Sequence, residues 1–197
     1  MPNVAVIYYS ATGNVYKLAE AIAAGARDTG AQVRLLKAAE TAPYDAIVRN
    51  QRWADHATAT AAIPEATLAD IEWADALIFG SPSRFGSVAS QMKVLIDQTG
   101  GLWAQGKLAG KVASGFTSAS TAHGGLETTI TTLFNTFACW GCIIVPPGYA
   151  DPIQMQQGNP FGASFVAKRG ATPGELELTS ARFQGRRVAE IAGKLHG

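Results

Sequence analysis

Five short apolar runs, over residues 4–9, 32–36, 76–79, 111–116 and 142–145, alternate along the chain with segments of helical spacing. The helical segments cover 15–28, 65–73, 89–98 and 126–137, with a last one over 178–195. Strand-like runs with so few polar positions, as in 4–9 and 76–79, have no solvent-facing side. Such strands are buried on both faces, and regular alternation with helices predicts an open parallel sheet covered by helices on either side. Sheets of this kind bind ligands beyond the carboxyl ends of their strands, near the point where strand order reverses. The segments that follow the first, third and fourth runs are therefore the places to look for chemistry.

The first is Ser10-Ala11-Thr12-Gly13-Asn14-Val15, between the run Val4-Ala5-Val6-Ile7-Tyr8-Tyr9 and a helix with Leu18, Ala19, Ile22 and Ala23 on one face. A hydroxyl- and glycine-bearing loop at the start of a helix gathers N–H donors and the positive end of the helix dipole, which suits a phosphate. The same residue types also favour ordinary helix caps, so the loop alone leaves both readings open. After the third run comes Gly80-Ser81-Pro82-Ser83-Arg84-Phe85-Gly86. After the fourth comes Thr117-Ser118-Ala119-Ser120-Thr121-Ala122-His123-Gly124-Gly125. All three segments are rich in small donor residues, and each precedes a helix.

A chain of 197 residues with 47% apolar and 16% charged residues suits one domain, spanning 1–197, with a well-packed core. The net charge of +1, without a basic run, gives no electrostatic footprint for nucleic acid or an anionic membrane. No apolar run reaches the length of a membrane span, and Met1 is followed at once by Pro2-Asn3 and the first strand. These features predict a soluble cytoplasmic protein. Cys139-Trp140-Gly141-Cys142 has the spacing of a redox or metal pair, yet no second Cys/His pair completes a zinc site. The pair leads into a strand and not a helix start, so two ordinary thiols and no metal are expected. Residues 39–64, which carry Trp53 and His56, read as irregular structure near the second strand. Residues 149–172 read as a long loop.

A phosphate loop without a P-loop lysine argues against a nucleoside triphosphate. The absence of Gly-x-Gly-x-x-Gly weakens a dinucleotide fold. A mononucleotide with a large flat ring fits better. Flavin mononucleotide (FMN) would place its phosphate on Ser10–Val15 and its ring against the other two loops. Phe85 would pack beside the ring, Arg84 would favour an anionic reduced form, and N–H groups from Ser118 to Gly125 would meet the pyrimidine edge.

At this point the motifs resemble those of the WrbA-type NAD(P)H:quinone oxidoreductases of the flavodoxin superfamily, along nearly the whole chain. Besides the loops already named, the resemblance is carried by Gln91-Met92-Lys93 continuing to Leu95-Ile96-Asp97-Gln98-Thr99-Gly100-Gly101-Leu102-Trp103. Ile144-Val145-Pro146-Pro147-Gly148-Tyr149, Asn159-Pro160-Phe161-Gly162-Ala163 and Ala181-Arg182-Phe183-Gln184-Gly185 also match. The resemblance implies a flavodoxin-like doubly wound five-stranded parallel sheet, order 2-1-3-4-5, with helices on both faces. It implies FMN held by Ser10, Ala11, Thr12, Gly13, Asn14 and Val15, by Pro82, Ser83, Arg84 and Phe85, and by Thr117, Ser118, Ala119, Ser120, Thr121, His123 and Gly124. It further implies NADH or NADPH as co-substrate, a quinone as acceptor, and a homotetramer whose neighbouring subunits help to close each site.

Trp103 and Tyr149 stand where the family walls the space above the flavin, and Tyr149, His123 or water would deliver protons. Two positions depart from the family pattern. Thr12 stands where many relatives carry Tyr, and Cys139-Trp140 where many carry a His pair near the flavin, so stacking and proton donation there would change. Two alternatives remain. One is a one-electron carrier flavodoxin, which the balance of 16 basic and 15 acidic residues argues against. The other is an FMN-binding scaffold or regulator with weak activity.

Overall fold

The computed structural model describes residues 1–168 and 170–196. Arg169, inside the stretch expected as a long loop, and Gly197 lie outside the described residues. The first strand, β1 (Asn3–Tyr8), lies in the sheet between β2 (Gln32–Lys37) and β3 (Ala76–Pro82). Next to β3 runs β4 (Val112–Ala119), whose far edge pairs with β5 (Ile143–Ile144) and β6 (Ser164–Val166). Every pairing is parallel, and the order β2-β1-β3-β4-β5 is the one expected.

Period-two geometry sends alternate β1 residues to opposite faces and so divides the core in two. Val4, Val6 and Tyr8 join the cluster under α1 (Asn14–Arg27) and α9 (Glu175–His196). Ala5 and Ile7 join the cluster formed with α4 (Leu68–Trp73), α5 (Ser90–Gln98), α6 (Gly100–Ala104) and α7 (Leu126–Trp140). Strands β3 and β4 are buried almost throughout. Edge strand β2 is half-exposed, which explains its mixed composition, QVRLLK.

Helices α1 and α9 pack unusually close. A Cβ on Gly25 would lie 1.9 Å from the Arg182 carbonyl oxygen, and one on Gly185 would lie 2.0 Å from that of Ile22. Two glycines, one from each helix, thus let two backbones touch.

Three expectations need correction. Helix α4 begins at Leu68, not 65, because Thr67 and Asp70 form a reciprocal capping box there. Glu65 instead bridges to Lys37 beside β2. The irregular stretch 39–64 contains α2 (Tyr44–Val48) and α3 (Gln51–Ala59), the latter capped by the Asn50 side chain on the Trp53 N–H at 3.3 Å. The long loop 149–172 contains α8 (Pro152–Gln157) and β6.

In effect the last strand is interrupted. β5 pairs with the start of β4 at Val112–Ala113, β6 pairs with its end at Thr117–Ala119, and residues 145–163 loop out between them. Buried Gln184 of α9 holds that break together. Its Oε1 accepts from the Ala163 N–H at 2.8 Å, and its Nε2 donates to Ser114 Oγ and the Gly115 carbonyl, both at 2.8 Å.

Candidate functional site

At the carboxyl edge of the sheet, β1 ends in the loop Tyr9–Gly13 and α1 begins. Gly13, the N-cap residue, adopts φ 92°, and no side chain caps the helix. The first-turn N–H groups of α1 therefore keep their donors, and no acidic residue occupies that turn. Ser10 Oγ accepts from the Gly13 N–H at 3.1 Å, which fixes the loop and leaves the hydroxyl proton to give away. Asn14 is 6% exposed, and its Oδ1 is buried without a hydrogen-bond partner. An uncapped helix start with a buried, unspent polar side chain is a prepared binding surface. The ordinary-cap reading of this loop does not describe it.

The loops after β3 and β4 meet it. The Ser83 hydroxyl donates to the Gly124 carbonyl at 2.7 Å and accepts the Gly86 N–H at 3.2 Å, while the Ser83 N–H donates to the Ser118 carbonyl at 2.7 Å. A cleft of about 280 Å³ results. Ser10, Ala11, Thr12, Asn14 and Val15 line it from the first loop, Pro82, Ser83 and Arg84 from the second, and Ser118, Ala119 and Ser120 from the third. Thr121, His123 and Gly124 line an adjoining, more open hollow with Phe85. Phe85 holds φ 54°, a conformation that is strained for an aromatic residue, and its ring stands fully in solvent.

Thr117 belongs to the framework and not to the lining. It is wholly buried within β4, where its N–H donates to the Ala163 carbonyl at 3.1 Å and its hydroxyl to that of Ser81 at 2.6 Å. No donor is left for a ligand.

Helix α3 supplies residues that the sequence reading left outside the site. Asn50 and Trp53 line the same cleft. His56 sits behind the first loop, its Nδ1 3.4 Å from where a Gly13 Cβ would lie, and stacks on Tyr16 with centroids 5.5 Å apart. Burial, and then the nearby Lys37 charge, push the His56 imidazole below its ordinary pKa, against a hydrogen bond with the Ser10 backbone. Burial likewise drives the Tyr8 and Tyr9 hydroxyls above their usual range. The flag for α3 was the pair Trp53 and His56 in a segment otherwise short of aromatic residues.

The pocket-wall candidates lie elsewhere within one chain. Helix α7 starts at the site and spans 15 residues, about 22 Å, to the opposite edge of the sheet. Its end is tied there by the Gly110 N–H on the Gly141 carbonyl at 2.9 Å. Trp140 is 7% exposed and packs edge-on against Phe79 at 5.9 Å. It is a core residue, so the expected flavin-proximal stacking by Trp140 is corrected. Cys139 is exposed at that far edge, and its carbonyl accepts from the Trp103 indole N–H at 3.0 Å, placing Trp103 beside it. Tyr149 is exposed on the segment between β5 and β6, its hydroxyl 3.4 Å from the Gly158 carbonyl. Neither Trp103 nor Tyr149 lines the cleft of its own chain.

Residues 2–154 match the NADPH-dependent FMN reductase family. The chain belongs to this family. It is 47% identical over 194 residues to a protein of Deinococcus radiodurans named NAD(P)H dehydrogenase (quinone), covering 98% of this chain and 96% of that one. A protein of the same name from Methylocella silvestris is 43% identical over the full length of both chains. Among solved structures, a flavodoxin, WrbA-like protein from Agrobacterium tumefaciens superposes with a TM-score of 0.69 at 25% identity, covering 99% of each chain. The WrbA-type resemblance read from the motifs therefore holds.

For a member of the FMN reductase family, the cleft fits FMN on its own chemistry. The uncapped start of α1 and the Ser10 and Thr12 hydroxyls offer neutral donors to a phosphate monoester. The orphan Asn14 Oδ1 offers an acceptor to a polyol hydroxyl.

Proposed function

We propose that this protein is an FMN-dependent NAD(P)H:quinone oxidoreductase, taking a hydride from NADH or NADPH and reducing a quinone by two electrons to the hydroquinone. The observation that carries this reading is the uncapped, donor-rich start of α1 opening into one cleft with the loops after β3 and β4. The names of the full-length relatives from Deinococcus radiodurans and Methylocella silvestris support the reaction. Bound FMN supplies the hydride and two-electron chemistry. The chain's own residues then bind and orient. Ser10, Thr12 and the first-turn N–H groups of α1 would hold the phosphate, and Ser83 locks the second loop to the third. Ala119 and Ser120 would border the ring, and Arg84 places a positive charge at the mouth of the cleft, which would favour an anionic ring.

The working assembly in this reading is a homotetramer, a dimer of dimers. It is supported by the exposed aromatic residues Phe85, Trp103 and Tyr149, of which the last two do not line the cleft of their own chain and are free to wall that of a neighbouring copy. In such an assembly Cys139 travels with Trp103 to the partner's site. Among the described residues no helix is long and apolar enough to cross a membrane, and the two free thiols suit a cytoplasmic setting.

Purified protein reconstituted with FMN tests the reading. Visible flavin absorbance is expected to bleach on NADH or NADPH and to return on benzoquinone, with ping-pong kinetics. A bound flavin inert to both reactants would overturn the enzymatic reading. Thr12→Glu, which sets a carboxylate against the phosphate, is expected to abolish FMN retention while leaving the melting temperature of the apoprotein near that of wild type. FMN retained at wild-type affinity would move the phosphate elsewhere.

A further inference from the structure

Beside the first loop, the Glu40 carboxylate gathers donors from four parts of the fold. Its Oε2 accepts from the Tyr9 hydroxyl at 3.0 Å and the Trp53 indole N–H at 3.2 Å. Its Oε1 accepts from the Gln91 side chain at 2.7 Å and from the N–H groups of Thr41 and Ala42, both at 2.9 Å. One acidic side chain thus joins the end of β1, the segment after β2, the start of α5 and helix α3. The tryptophan it holds is half-buried. It packs against the small cluster of Tyr9, Ala38 and Ala89, and it lines the cleft together with Ser10, Thr12 and Arg84. Trp53 also borders a second, smaller cavity of about 140 Å³ with Glu40, Ile47 and His56, so its packing is incomplete and hydrogen bonds must help to fix the ring. The hydrogen bond to Glu40 and the Asn50 cap on its backbone do so. Among the described residues no aromatic ring stacks on Trp53. An indole held at the mouth of a cleft, without a ring of its own to stack on, is matched to a flat aromatic ligand.

We propose that Trp53 is the aromatic wall of the flavin cleft, packing on the ring of bound FMN, and that Glu40 is the positioning residue that fixes the indole there. The wall comes from α3, whereas the residues that line the cleft from the first loop, Ser10, Ala11 and Thr12, offer no aromatic side chain. This rests on the assignment of FMN to the cleft, and the test separates the two.

Apoprotein of wild type, Trp53→Ala, Trp53→Leu, Trp53→Phe, Glu40→Gln and the Glu40→Gln/Trp53→Ala double variant is titrated with FMN. Quenching of flavin fluorescence gives the Kd, and the visible spectrum of the bound flavin is recorded alongside. Loss of one aromatic stacking partner predicts a Kd raised about three- to tenfold in Trp53→Ala, with the flavin bands returning toward those of free FMN. Trp53→Leu keeps apolar bulk against the small cavity but has no ring. It is expected to bind as weakly as Trp53→Ala, whereas Trp53→Phe, which keeps a ring but lacks the N–H that Glu40 holds, is expected to bind more tightly than Trp53→Leu and less tightly than wild type. Glu40→Gln is expected to raise the Kd, and the double variant to bind no more weakly than Trp53→Ala, because Glu40 acts through the ring. Wild-type affinity and spectrum in Trp53→Leu would overturn the wall. Additive losses in the double variant would overturn the positioning role of Glu40. Wild-type apoprotein that binds no FMN would overturn the function itself, a separate outcome.

Discussion

The Ser83 hydroxyl and the Gly124 carbonyl, 41 positions apart in sequence, lie 2.7 Å from each other and join the loops after β3 and β4. The two loops border the same cleft, so their spacing sets its width. Ser83→Ala removes both this bond and the one from the Gly86 N–H. A net loss of about 1 kcal/mol per bond, felt mainly by the loops, predicts a several-fold weaker FMN affinity with a melting temperature within a few degrees of wild type. Flavin fluorescence titration and a thermal melt measure the two separately.

The contact between α1 and α9 is steric. A Cβ on Gly185 would stand 2.0 Å from the Ile22 carbonyl oxygen, which is backbone and has no room to yield. Gly185→Ala is expected to cost about 3 kcal/mol, the upper end of ordinary overpacking, seen as a lower urea midpoint with unchanged slope. On the same helix, a Cβ on Gly193 would meet nothing nearer than Pro2 at 3.6 Å. Gly193→Ala is expected to stabilise by about 0.5–1 kcal/mol, because alanine restrains the unfolded chain and favours the helix.

His56 gives the apoprotein a pH dependence of known sign. Burial first, and Lys37 second, lower its pKa in the folded state. Between that lowered value and the ordinary value near 6.5, the unfolded chain binds more protons than the folded one, so stability rises with pH across the window. It falls as pH drops through the same window. Thermal melts of the apoprotein from pH 8 down to pH 5 are expected to show this loss, and His56→Asn to flatten it. Equal slopes in both proteins would assign the acid sensitivity to other groups.

Cys142 and Cys139 are expected to part in reactivity. Burial pushes the Cys142 thiol up to about 11, and its Sγ lies 3.4 Å from the Leu108 carbonyl. At pH 8 about one Cys142 in a thousand is thiolate, whereas Cys139 is exposed. In native Cys139→Ser protein, labelling of Cys142 by a thiol reagent is expected to wait for unfolding. Fast labelling in the native state would contradict the burial.

The alternation of apolar runs with helical segments was enough to predict an open parallel sheet with helices on both faces, because strands buried on both faces are largely apolar. It was also enough to put Ser10–Val15, Pro82–Phe85 and Ser118–Gly124 at one edge, since each follows a parallel strand. Local chemistry sufficed where the determinants were local.

Tertiary structure decided the rest. The three-residue strand β6 is too short to carry a pattern, and exists by pairing with Thr117–Ala119, far back along the chain. Thr117 looked like a ligand donor until its neighbours on both sides consumed its N–H and hydroxyl. Cys139 and Trp140 follow the site closely in sequence, yet the full length of α7 carries them to the far edge of the sheet, where Trp140 turns into the core. Trp53 makes the opposite journey. It lies in a segment without a readable strand or long helix, and reaches the cleft only because Glu40, Tyr9 and Gln91 converge there from separate elements. Periodicity records which face of an element is buried, and loop chemistry records where a backbone can turn. Neither records which distant side chains a hydrogen bond will gather, because that depends on where every element has already packed.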